Sequence, residues 1–169
     1  MILVAVLIVA LAWIRNNNNT SLVCFENIIA DSPWHLEDEN SPAEAWTDFS
    51  DLFILHDKDL VRITYDLNGL MAQEGERKND STVVFTQRDS WYGVTLVDPK
   101  YGGKNKSDGK QTVYIPLTEF VELPNADRNI IGGAPLNLDV AVSSIRARFW
   151  HRDHFVVEIT DIAFCTYQD

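Results

Sequence analysis

Positive charge is scarce: 14 Lys and Arg stand against 25 Asp and Glu, for a formal net charge of −11. Binding duplex nucleic acid through its phosphates needs clustered Lys and Arg, so the charge balance excludes that partner. Catalytic signatures are missing too. There is no G-x-S-x-G elbow, no H-E-x-x-H pair and no phosphate-binding glycine loop. A glycosidase needs two carboxylates about 5–9.5 Å apart. Among 25 acids some pair meets that distance by accident, so carboxylates alone carry no signal, and a non-enzyme is expected. Histidine is rare as well. His151 and His154 are three apart and flank a tight turn, while His35 and His56 are distant. A transition-metal site needs further ligands in a defined geometry, so these read as solvated residues. No internal repeat or heptad pattern occurs, and no organic cofactor is implied.

Long apolar runs are absent after the start of the chain. Residues 2–14, "ILVAVLIVALAWI", are apolar throughout. As a helix they reach roughly 20 Å, short of a ~30 Å bilayer core. The length suits the apolar region of a secretory signal, and Ala10-Leu11-Ala12 matches the small-x-small cleavage pattern. The positive residues that normally precede such a region are missing. Residues 1–20 are therefore expected to be a cleaved signal, or alternatively a retained anchor, together with the polar spacer that begins at "RNNNN". Any membrane contact is expected through this segment alone. Residues 21–169 fit one domain, expected to be secreted or held at the cell surface as a monomer. Sequons at Asn18, Asn19, Asn79 and Asn105 matter only in a host that glycosylates.

What remains reads as strands. "LVRITYDL" (60–67) alternates, with Val61, Ile63, Tyr65 and Leu67 on one phase and Arg62, Thr64 and Asp66 on the other. "STVVFTQ", "WYGVTLV", "QTVYIPL", "SSIRARFW" and "FVVEITDIAF" follow, rich in β-branched and aromatic residues and separated by turn residues. In the last run Phe155, Val157 and Ile159 share one phase while Ile162 and Phe164 share the other, which predicts a bulge at Thr160-Asp161. "SPAEAW" competes: Ser41 as N-cap, Pro42 at the first position and Glu44 three on from the cap predict one or two helical turns. Short strands without helical periodicity predict an all-β, two-sheet sandwich. The only cysteines, Cys24 and Cys165, sit in strand-like runs near opposite ends. Export would place them in an oxidising compartment, and a bond between them requires the first and last strands to be neighbours. Residues 31–60 concentrate acids around a single base, Lys58. A solvated acidic face is the plain reading, and a cation site using part of it the sharper one.

One phase of "SSIRARFW" carries Arg146, Arg148 and Trp150, and the other carries Ile145, Ala147 and Phe149. The apolar phase belongs in a core. Two guanidiniums and an indole on the remaining face suit a sugar platform, the ring stacking on a pyranose and the arginines hydrogen-bonding its hydroxyls. Against this stands a Trp150 buried under a loop, with the arginines pairing surplus acids. Strand phase points Trp91 and Tyr114 away from the core, and both are expected to complete the surface. Tyr92 reads as buried and Trp34 as a core plug, while Trp46 and Tyr101 are further aromatic candidates.

The succession "RITYDLNG", "SWYGVTL", "QTVYIPLTEF", "SSIRARFW" and "FVVEITDIAF" resembles carbohydrate-binding modules of the galactose-binding-like jelly-roll type, from about residue 21 to 165. The resemblance implies a jelly-roll β-sandwich, extracellular polysaccharide or glycan binding, and no catalysis by the module. It also implies a structural calcium between the first and last strands, with Glu26 and Asp161 the positions that match. Surface adhesion on the same sandwich is the alternative function, and a glycoside hydrolase a further one.

Overall fold

A computed structural model describes residues 20–38, 43–68, 81–103, 109–149 and 155–168. The hydrophobic start, the four sequons, His151, His154 and Trp150 lie outside the described residues. Ten strands are described: β1 (Ser21–Cys24), β2 (Trp34–Asp38), β3 (Ala43–Phe53), β4 (Leu60–Asp66), β5 (Ser81–Gln87), β6 (Ser90–Thr95), β7 (Gln111–Pro116), β8 (Val121–Glu122), β9 (Val142–Phe149) and β10 (Phe155–Gln168). Helix among the described residues is limited to three short 3-10 turns, Pro99–Tyr101, Leu117–Glu119 and Ala126–Arg128. All named pairings are antiparallel. Sheet A runs β1-β10-β4-β7, with β2 also paired to β10. Sheet B runs β3-β9-β5-β6-β8.

Alternation along the strands builds the core between the sheets. In β4, Val61, Ile63 and Tyr65 are fully buried, while Arg62, Thr64 and Asp66 are only partly covered. In β9, Ile145, Ala147 and Phe149 are buried. Trp34 is in the core, as expected of a core plug, and Tyr92 packs against it, as its phase predicts. A chain of rings ties the layers together. Phe49 stacks on Phe53 at 4.8 Å, Phe53 meets Phe164 of β10 at 5.1 Å, Phe164 meets Phe85 of β5 at 6.0 Å, and Phe85 meets Phe120 at 4.7 Å. Such pairs contribute about 0.5–1.5 kcal/mol each beyond their buried area.

Ser41 and Pro42 lie outside the described residues, but from Ala43 on the helical turn expected from "SPAEAW" is replaced by a strand, Ala43–Phe53. Its side chains alternate, with Ala43, Ala45 and Phe49 packed against the core and Glu44, Trp46 and Asp48 outside. Capping residues are a local preference of about 1 kcal/mol. A ladder running from Ala43↔Phe149 to Asp48↔Ser144, with the core it closes, outweighs that preference.

The last strand is the hub of sheet A. Its N-terminal half pairs with β2 and its C-terminal half with β1. The register against β4 slips between Ile159 and Asp161, so the predicted bulge is present. Asn27 fills the irregularity. Its Nδ2 donates to the Thr160 carbonyl at 3.0 Å, and its Oδ1 accepts from the amides of Ile162 (3.0 Å) and Ile29 (3.1 Å). Beyond it Cys24 faces Cys165 in register, and the two form a disulfide with Cα atoms 4.0 Å apart across a sequence separation of 141.

Candidate functional site

The outward face of sheet B carries the predicted arginines. Arg146 of β9 is opposite Trp46 of β3, and Arg148 is opposite Glu44. Glu44 serves both: its Oε1 lies 3.3 Å from Arg148 Nε and its Oε2 lies 3.8 Å from Arg146 Nη1. On the other side of β9 lies β5, then β6 with Trp91. The Arg146 guanidinium reaches diagonally across β5 and sits 4.6 Å from the centre of the Trp91 ring. Val84 beneath is only 2% exposed although its side chain points outward. The Arg146 Nε is buried without an acceptor among the described residues. The result is a row of Trp46, Arg146 and Trp91, with the two indoles 58% and 40% exposed. Three strand spacings separate the indoles' strands, about 14 Å, which is wider than one sugar ring.

The row ends in a wall. Leu123 N donates to the Trp91 carbonyl at 2.7 Å, bringing the segment after β8 alongside β6. Gly93 permits this approach, because a Cβ there would stand 2.9 Å from Leu123 Cδ1. Between the wall and Trp91 lies a hollow of about 170 Å³, lined also by Pro124, Arg128 and Ile130. Aromatic faces, a fixed guanidinium and a carboxylate on one surface can stack on ring C–H groups and exchange hydrogen bonds with hydroxyls.

Tyr114 corrects an expectation. It is exposed, as its phase predicts, but β7 belongs to sheet A, so Tyr114 is on the opposite layer from Trp91. Strand phase tells which side of a sheet a residue faces, not which sheet it joins. Trp46 reached the surface instead, in the segment where capping residues predict a helix. The alternation of Glu44, Trp46 and Asp48 was the available signal.

The pair expected to hold calcium does not fit the ion. Both Asp161 oxygens accept from one guanidinium, Arg62 Nε at 2.7 Å and Nη2 at 3.0 Å. The Thr160 carbonyl is taken by Asn27. Glu26 is exposed, and no cluster of three His, Cys, Asp or Glu with metal-holding geometry occurs among the described residues. Calcium needs six to eight oxygens, and a fixed positive charge at Asp161 repels it. Asn27 fastens the first segment to the last strand by amide hydrogen bonds.

Fold and surface together define a jelly-roll sandwich with an aromatic and guanidinium face. No family model matches the chain, and no curated protein matches it. Solved structures do. A family 11 carbohydrate-binding module of a cellulosomal cellulase from Clostridium thermocellum superposes with a TM-score of 0.53 at 9% identity, over 87% of this chain and 82% of that one. A family 11 module of the same organism, in complex with a β-1,3-1,4-mixed-linked tetrasaccharide, gives a TM-score of 0.54 at 8% identity, over 87% and 84%. The chain has the jelly-roll sandwich fold of these carbohydrate-binding modules.

Proposed function

We propose that the protein is a non-catalytic module that binds a neutral polysaccharide across the outward face of sheet B. The observation that carries this reading is the row of Trp46, Arg146 and Trp91, on a fold in which a solved neighbour holds a tetrasaccharide. The two indoles stack on sugar rings. Arg148 and the Glu44 carboxylate exchange hydrogen bonds with hydroxyls, and Arg146, held on Trp91, stiffens the platform and offers its remaining N–H groups. In the sequence Trp150 follows Arg146 and Arg148 at the same two-residue spacing, which supports adding it to the row. The disulfide supports an exported protein, because such bonds persist in oxidising compartments.

Affinity electrophoresis against soluble glucans, xylans and mannans tests the reading. At least one polysaccharide should retard the native protein, and the retardation should be lost in Trp46→Ala/Trp91→Ala. A panel that retards neither protein, or both equally, refutes it.

A further inference from the structure

On the outward side of sheet A lies a larger hollow, of about 390 Å³. Ligand pockets for small molecules begin at about 300 Å³. Three tyrosines from separate elements line it: Tyr101 from a 3-10 turn, Tyr114 from β7 and Tyr167 from β10. Tyr114 is 43% exposed and Tyr167 is 55% exposed, with the half-exposed Leu22 of β1 beside them. Tyr114 and Tyr167 stand outside the core, while Tyr101 is partly buried against it and so is held in place at the edge of the hollow.

The polar part of the hollow is prearranged and electrically balanced. Lys100 Nζ donates to Glu119 Oε2 at 2.8 Å, and the Tyr101 hydroxyl donates to the same oxygen at 3.2 Å. Lys100 also lies 4.6 Å from the centre of the Tyr101 ring. The Lys100 hydrogen bond, with that of Tyr101 behind it, holds the Glu119 carboxyl below the usual range, so it is ionised and pairs with a charged Lys100. A balanced pair offers donors and acceptors without a net field, which selects an uncharged, hydroxyl-rich ligand over an anion or a cation.

We infer that this tyrosine-lined hollow is a second saccharide site, on the layer opposite the Trp46–Trp91 row. The inference rests on the reading of the chain as a glycan-binding module. Two sites on opposite layers bind two polysaccharide chains at once, so one protein molecule cross-links them, with avidity set by the distance between sites.

Calorimetric titration of the full chain tests this, using the β-1,3-1,4-linked tetrasaccharide and cello-, xylo- and manno-oligosaccharides. The native protein should take up two equivalents of at least one of these. Tyr114→Ala/Tyr167→Ala should lose one equivalent, or weaken it at least tenfold, with an unchanged melting temperature because both rings are exposed. Tyr114→Phe/Tyr167→Phe, which keeps the faces, should retain both. A single equivalent that only Trp46→Ala/Trp91→Ala abolishes overturns the second site and leaves the sheet B reading standing. A single equivalent that only the tyrosine variant abolishes supports the hollow and overturns the sheet B reading. Uptake of a polyproline peptide by the hollow, with no saccharide bound there, overturns the inference, because aromatic grooves also accept that helix.

Discussion

Trp91 is exposed and yet braced, since a guanidinium lies on its ring and the Leu123 amide holds its own carbonyl. An exposed ring contributes little to folding and much to stacking. Trp91→Ala should therefore weaken glycan binding by about 1–3 kcal/mol, judged from aromatic stacking on other planar ligands, and leave the melting temperature nearly unchanged. Intrinsic fluorescence of the native protein and the variant measures the first by glycan titration and the second by a thermal scan. A large loss of stability would place the indole among the structural rings instead. Arg146→Lys keeps the charge and removes the planar fork. It should weaken binding while the binding itself stays insensitive to salt, because the groups that the arginine would meet on a neutral glycan are uncharged hydroxyls.

At the scale of elements, β10 is where the fold is closed. Its bulge is occupied by the Asn27 amide, which makes three hydrogen bonds. Asn27→Ala leaves buried or part-buried backbone groups unpaired and should cost roughly 1–3 kcal/mol, read as a lower urea midpoint. Calcium or a chelator should leave the melting temperature unmoved, since the Asp161 carboxylate is engaged by Arg62; a rise of several degrees with calcium would refute that assignment. The disulfide closes nearly the whole domain, with a sequence separation of 141. Chain-entropy arguments give about 5 kcal/mol for a loop of this size. Reduction should lower the unfolding free energy by roughly 2–5 kcal/mol, and a reduced protein of equal stability would show that the strand ladder alone suffices.

At the scale of the molecule, net charge and ion pairs set the response to solution conditions. Neutral glycan binding should change little with ionic strength, whereas an acidic glycan would be released as salt rises. The sign of the pH effect follows from Glu119 and Asp57, both held below their unfolded values of 4.5 and 3.8 by neighbouring lysines, Lys100 and Lys58. A lowered carboxyl stabilises the fold above the unfolded value and loses that contribution as pH falls through the folded one. Melting temperature should thus be level above about pH 5 and decline below it. Both carboxylates are exposed, so the decline is shallow, and Glu119→Gln should flatten it further. A melting curve that steepened in Glu119→Gln would contradict the assignment.

The sequence by itself determined the all-β class, the phase of the strands around Ile63, Tyr92, Tyr114, Arg146 and Val157, the bulge and the pairing partner of each cysteine. These rest on period-two alternation and on the small number of cysteines, both readable along one dimension. The outward direction of Arg146, Arg148 and Trp91 was legible for the same reason. Tertiary structure alone decided which outward residues meet. Sheet membership depends on pairings between segments far apart in the chain, and it sent Tyr114 to one layer and Trp91 to the other. It also turned the capped segment around Glu44 into a strand, because a ladder and a buried face outweigh local propensity, and so set Trp46 beside Arg146. The partner of Asp161 was hidden likewise. Arg62 is 99 residues away in sequence and adjacent only through the β4–β10 register, which places a guanidinium where a cation was expected.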